Sequence, residues 1–198
     1  MRPVLLALAL VAVLLAREAS ASDDGRFMRL DAQRSSGSFR VKLIWLFGID
    51  GEFGRIDGEI RRNDFRDSLQ VTARVDVRNL HMASSRQETW AKSEEFFDAA
   101  HHPQLSFVSD EFARLRLREG GELTGRLTVR GITQPVRLEL LPAQCAHPAF
   151  ECPIRVNGSI RRSRFGMTSH RGTLADKVEI DFNIFVAGDT ARDALAPG

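Results

Sequence analysis

The nine residues LQVTARVDV, Leu69 to Val77, alternate without a break, with Leu69, Val71, Ala73, Val75 and Val77 on one side and Gln70, Thr72, Arg74 and Asp76 on the other. Side chains of an extended chain point to opposite faces with a period of two, so this stretch reads as a strand with one face in a core and one in water. A single wet face is usual for antiparallel sheets. Parallel strands, covered on both sides by helices, read instead as continuous apolar runs.

The same period recurs to either side. Phe39, Val41, Leu43, Trp45 and Phe47 alternate with Arg40 and Lys42 until the pattern turns apolar on both faces at Ile44 and Leu46. Leu123, Leu127 and Val129 alternate with Thr124, Arg126, Thr128 and Arg130; Gly131 and then Gln134-Pro135 turn the chain into Val136, Leu138 and Leu140, which predicts a hairpin. Ile154, Val156 and Ile160 continue the theme, and Val178, Ile180, Phe182, Ile184 and Val186 form the apolar face of a last long strand. Shorter strands are expected at 51–61, 104–109 and 112–118. About eight or nine strands with turn signals at near-regular spacing predict an all-β antiparallel sandwich or barrel rather than a parallel α/β sheet.

One stretch departs from this pattern. Ser84 to Ala100 holds good helix formers, no internal Pro or Gly, a Ser pair at its start and Glu88 four residues before Lys92, which predicts a helix. Trp90, Phe96 and Phe97 give it an apolar side, and His101-His102-Pro103 ends it.

With 198 residues the chain suffices for one domain or two small ones, and 43% hydrophobic with 27% charged residues is ordinary globular composition. The formal net charge of +2 lacks the basic excess of a domain that neutralises phosphates, which argues against a nucleic-acid partner. There are 13 Phe and 2 Trp but no Tyr, so the aromatic inventory brings no phenolic acid/base chemistry.

At the N-terminus Arg2, an apolar run from Pro3 to Ala16 and the small-residue sequence Ala19-Ser20-Ala21 have the parts of a secretory signal, with cleavage expected after Ala21. The run is shorter than the roughly 20 residues a spanning helix needs. Residues 1–21 are thus expected to be a signal peptide, 22–37 a lead-in, 38–187 the barrel domain and 188–198 a frayed tail, with the product soluble in the periplasm. Export makes Cys145 and Cys152 readable as one disulfide closing a short loop. Three candidate ligands, with His147 between the cysteines, make a weak zinc site, and no metal is expected.

No nucleophile elbow, phosphate loop, zinc-protease or dinucleotide motif is present, so neither catalysis nor a cofactor is expected. His81, His101, His102, His147 and His170 are scattered over presumed loops and ends. The cluster Arg161, Arg162, Arg164 and Arg171 has the chemistry to attract a pyrophosphate or, in transient contact, an anionic membrane surface; a solvated sheet face is the plainer account. Asn157-Gly158-Ser159 matches a glycosylation sequon and reads as a glycine turn that carries it by chance.

Four stretches carry a resemblance. Ser93-Glu94-Glu95-Phe96-Phe97-Asp98 followed by His102-Pro103 and Phe107, the glycine-punctuated run from Asp50 to Gly58, GRLTVRGITQPV from Gly125 to Val136, and IRRSRFGM from Ile160 to Met167 together resemble the YceI-like proteins, exported binders of lipids and polyisoprenoids. The match runs in order from Phe39 to Val186. It implies an eight-stranded antiparallel barrel of lipocalin-like shape, with one inserted helix and an apolar lumen for an isoprenoid or fatty-acyl chain. On that reading Phe39, Val41, Leu43, Trp45, Val71, Val75, Phe107, Leu127, Val129, Ile160 and Phe182 line the lumen, and Trp90, Phe96 and Phe97 gate one end. The chain departs from the family's pattern at Trp90, where a histidine is expected, and at Glu88 and Lys92, where Asp and Arg are more usual. Alternation by itself fits a dry core equally well. A periplasmic stress-response or interaction protein working through its outer surface is the alternative, with a hydrolase on the same scaffold as a third. The oligomeric state stays open, a dimer included.

Overall fold

A computed structural model describes residues 27–43 and 47–188. The expected signal peptide, the segment Ile44 to Leu46 with the Trp45 assigned to the lumen, and all of the expected tail except Gly188 lie outside the described residues.

The chain is all-β with few helices. Its strands are β1 (Phe27–Arg29), β2 (Ser36–Leu43), β3 (Phe47–Phe53), β4 (Ile56–Asn63), β5 (Ser68–Asp76), β6 (His81–Met82), β7 (Gln104–Ser109), β8 (Phe112–Ala113), β9 (Gly121–Val129), β10 (Ile132–Leu140), β11 (Ile154–Arg161) and β12 (Leu174–Ile184). The hydrogen-bonded order is β1-β4-β5-β7-β9-β10-β11-β12-β2-β3-β6, with β8 beside β5. The sheet curls around one apolar core. The N-terminal segment ties the β1 edge back to the middle of the sheet order: β1 pairs with β4, and Leu30 then bridges to Val186 just beyond β12. There the Asp31 N–H donates to the Phe185 carbonyl (2.8 Å) and the Ala187 N–H to the Arg29 carbonyl (2.9 Å). The expected lead-in thus supplies β1 and the start of β2.

The run that set the fold, Leu69 to Val77, is β5 plus the first residue of a 3-10 turn at Val77–Asn79. The hairpin at 123–140 forms, but its turn is not at Gln134-Pro135. Val129 pairs with Ile132, and Arg130 (φ 53°) and Gly131 (φ 71°) make a two-residue loop with both residues left-handed, the turn whose twist matches that of the strands. Gln134 and Pro135 lie inside β10. That strand meets β11 only over Leu138–Leu140, so its first six residues have one neighbour, a setting that tolerates proline.

Other expectations are corrected. The segment 51–61 is two strands broken at Gly54-Arg55, and 112–118 is the two-residue β8 followed by one helical turn, α2 (Arg116–Glu119). Asn157-Gly158-Ser159 lies within β11, not in a turn. The helix α1 covers only Ser85–Lys92. Its start is as read: the Ser84 side chain accepts from the Gln87 N–H, and Lys92 lies 3.6 Å from Glu88. It stops early because the Ser93 hydroxyl donates to the Trp90 carbonyl (2.7 Å) and the chain turns back through Asp98 at φ 49°. Cys145 and Cys152 are joined, closing the loop between β10 and β11.

Candidate ligand cavity

The inward residues toward the strand ends are sealed: Leu69 and Val75 on β5, Leu105 on β7, Leu123 and Val129 on β9, Leu138 and Leu140 on β10. Between them Val71, Ala73, Phe107, Leu127, Val136, Ile160 and Val178 belong to the same apolar interior but are only half-buried. Many of them are cross-strand partners. Ala73 faces Phe107, Phe107 faces Leu127, and Val178 pairs with Ile160 on one side and Val41 on the other. They enclose a cavity of about 160 Å³ whose lining is apolar except for Ser106 and Arg162.

Four phenylalanines crowd one side of it. Phe53 stacks on Phe182 with centroids 5.9 Å apart, and Phe39 lies 5.1 Å from Phe53 and 5.7 Å from Phe97. Two glycines make the space. Gly37 lies between Phe53 and Phe182 in the register, and a Cβ there would sit 2.5 Å from the Phe182 ring. Gly51 plays the same part under Phe39, its partner on β2. A ring lying across a bare backbone is the arrangement by which sheets shield strand glycines.

α1 and the turns after it cover the end where β11 runs into β12. Trp90 meets Phe96 edge-on at 4.3 Å, and both contact His170 on the β11–β12 connection, at 5.3 and 6.2 Å. His170 Nε2 lies 3.0 Å from Glu95 Oε2, tying that connection to the turn after α1. The Met82 N–H donates to Glu88 (3.1 Å), which holds that carboxyl below the usual range and anchors α1 to β6.

Arg162 overturns the reading of the basic cluster as a solvated face. Its side chain is only 2% exposed, in a 3-10 turn (Arg162–Phe165), and its guanidinium donates to the carbonyls of Met167 (2.7 Å), Ser169 (2.7 Å), Leu174 (3.0 Å) and Ala175 (3.0 Å). Burial pulls its pKa down, opposed by the charge of Asp176. Desolvation works to raise Asp176, but hydrogen bonds from the Ser163 N–H and hydroxyl, with Arg162 nearby, outweigh it and hold that carboxyl below the usual range. Arg161, Arg164 and Arg171 are exposed, as read.

Of the residues assigned to the lumen, Phe39, Val41, Val71, Val75, Phe107, Leu127, Val129, Ile160 and Phe182 line the cavity, as do Trp90, Phe96 and Phe97. Phe96 and Phe97 do so from the turns after α1, not from the helix. Leu43 does not. It continues the alternation of Phe39 and Val41, but it lies where β2 runs past the wall, opposite Leu174 and beyond a register shift, and is 37% exposed. The sequence reading missed Phe53, whose spacing of two from Gly51 and Ile49 carried the signal, and it missed Arg162, for which a run of arginines gives none. The histidines do not converge: His101 pairs with Asp98, His147 with Glu151 and His170 with Glu95. Among the described residues no group of three or more His, Cys, Asp or Glu is placed to hold a metal.

The YceI-like domain matches residues 28–186 of this sequence. The chain belongs to the YceI-like family. Its relatives include a UPF0312 protein of Pectobacterium carotovorum, 25% identical over 189 residues that cover 91% of this chain and 94% of that one. Another is Protein YceI of Salmonella arizonae, 26% identical over 162 residues, 78% and 82% of the two chains. Two solved structures share the fold of this YceI-like barrel. Burkholderia cenocepacia BcnA aligns over 80% of this chain and 99% of its own with a TM-score of 0.64 at 21% identity. A polyisoprenoid binding domain from Saccharophagus degradans, implicated in plant cell wall breakdown, aligns over 82% and 98% with a TM-score of 0.61 at 12% identity.

Proposed function

We propose that this chain is an exported, periplasmic lipid-binding protein that sequesters or carries an isoprenoid or other long-chain amphiphile in the barrel, without catalysing its turnover. The observation that carries the reading is the half-buried apolar belt at mid-barrel, which lies inside yet is not filled by its neighbours. Belonging to a family with a polyisoprenoid binding domain among its structural relatives supports it. A cavity near 150 Å³ lined by Leu, Ile and Phe stays dry and takes a guest of about benzene size. A tail of several isoprene units is larger than that guest, so its entry requires the lining side chains to give way, and it gains about 0.8 kcal/mol per methylene-sized group removed from water.

Organic extraction and mass spectrometry of protein purified from its native host tests this. A stoichiometric prenyl or acyl species is the expected result. An empty barrel that takes up none of the lipids offered refutes the carrier. Phe182→Asp, if folded, is expected to lose the lipid; unchanged affinity removes Phe182 from the site.

A further inference from the structure

The end of the barrel that carries the β11–β12 connection has a surface the cavity does not use. Phe47 is 73% exposed and Leu43, its partner across the β2–β3 hairpin, 37%. Leu43 abuts Leu174, at the far end of that connection, and on the same rim Ile132 is 38% exposed beside Gly166. Around these apolar groups stand exposed Lys42, Arg161, Arg164 and Arg171. Among the described residues Arg164 reaches only the Gln134 side-chain carbonyl, and no carboxylate lies within ion-pair distance of Lys42, Arg161 or Arg171. The acidic groups near this end are engaged within the protein: Glu95 by His170, Asp98 by His101 with Arg130 nearby, and Asp176 by Ser163, with the charges of Arg162 and Arg161 adding to its hold. The opposite end differs. Phe65 is 96% exposed there, but the cations around it are paired: Arg62 with Asp64, Arg66 with Glu111 and Arg114 with Asp67.

We propose that the Phe47 end docks on the surface of an anionic lipid bilayer, with Phe47, Leu43 and Ile132 entering the headgroup layer and Lys42, Arg161, Arg164 and Arg171 facing lipid phosphates. Apolar side chains ringed by unpaired cations are what such a surface selects: the first gain from burial in the interface, the second from its negative potential, and neither suffices for lasting attachment alone. The contact is reversible and weakens with salt, because the charges work within a Debye length of the surface. It does not depend on what the cavity holds, and it would set the trapped chain beside a membrane.

The test is co-sedimentation of the protein, as purified from its host, with phosphatidylcholine vesicles with and without phosphatidylglycerol. Binding is expected only with phosphatidylglycerol and is expected to fall as salt rises. Phe47→Asp, and separately Arg164→Glu with Arg171→Glu, are each expected to lower it roughly tenfold or more. Phe65→Asp is the control and is expected to leave it unchanged. Circular dichroism confirms that each variant is folded, and uptake of a fluorescent prenyl probe from detergent reports the cavity separately. Equal binding to both vesicle types, binding to neither, variants that bind like the parent, or a Phe65→Asp loss as large as that of Phe47→Asp overturns the proposal.

Discussion

Gly37→Ala introduces one methyl group where the Phe182 ring already lies. The new Cβ would sit 2.5 Å from two ring carbons and 3.2 Å from Ile56 Cδ1, against the roughly 3.5–4.0 Å at which carbons rest. The ring must move by about 1 Å, and Phe53, stacked 5.9 Å away with its plane only 3° off, stands on its other side. Overpacking of this kind costs about 1–3 kcal/mol. Gly37 does not have a positive φ, so replacing it brings no backbone strain and recovers about 0.5–1 kcal/mol of strand propensity. The net expectation is a loss of up to about 2.5 kcal/mol. In a Phe182→Ala background the ring is gone and of the nearest atoms only Ile56 Cδ1, the movable end of its side chain, stays close, so the same change should be near neutral or stabilising by up to about 1 kcal/mol. Urea unfolding of the four proteins, followed by circular dichroism, closes the cycle. If Gly37→Ala costs the same in both backgrounds to within about 0.5 kcal/mol, the two sites are independent and the ring does not lie across the glycine.

Replacing both Cys145 and Cys152 with Ser opens the loop between β10 and β11 and should lower stability by roughly 2–3 kcal/mol, read as a lower melting temperature that reductant no longer shifts. Arg162→Met leaves the four carbonyls it serves without that donor and should cost at least about 1–3 kcal/mol, a loss that Arg161→Met, on an exposed site, does not share. The His101–Asp98 pair gives a pH window. The Asp98 side chain holds His101 above its ordinary value, so that contribution is complete below the usual histidine range and is lost as pH rises through the raised value. His101 in turn holds Asp98 below its usual range, a contribution present above that range and lost as pH falls through the lowered value. The melting-temperature gap between the parent and His101→Ala should therefore be widest between about pH 4 and 6.5 and shrink on either side; a gap that widens at pH 9 contradicts the pairing.

The fold class was legible because alternation over Leu69 to Val77 and Val178 to Val186 is a local signal that one-sided burial imposes on any strand. The reading failed where a tertiary contact overrides local pattern. Ser84 to Ala100 holds no Gly or Pro to mark the end of the helix; the stop lies at Ser93, which turns extended and bonds back to the Trp90 carbonyl, and the chain then reverses through Asp98 at a left-handed φ. Leu43 keeps the period of Phe39 and Val41, and only the length of the neighbouring strand decides that it leaves the interior. Arg162 reads as a surface residue until the loop from Met167 to Ala175 folds its carbonyls around it. The cavity was half legible: most of its wall follows from alternation, but the glycine-and-phenylalanine pairs that shape it depend on cross-strand register, which one sequence does not display.

A half-filled interior has a cost, and that cost separates a carrier from a dry barrel. Protein cores pack to crystal density, so an unfilled belt at mid-barrel forgoes contacts that a larger side chain would supply. Ala73, facing Phe107 across β5 and β7, is the smallest member of the belt. Ala73→Leu adds three carbons there. If the belt is open, they bury in it and stabilise the lipid-free protein by about 2 kcal/mol. If the interior is already packed, the same carbons overfill it and cost about 1–3 kcal/mol. The two outcomes differ in sign, so a denaturant midpoint alone decides between them. An open belt further requires that the variant, though more stable, take up less of a prenyl probe, because the space it fills is the space the ligand would occupy. A variant both less stable and unimpaired in uptake would leave the cavity reading without support.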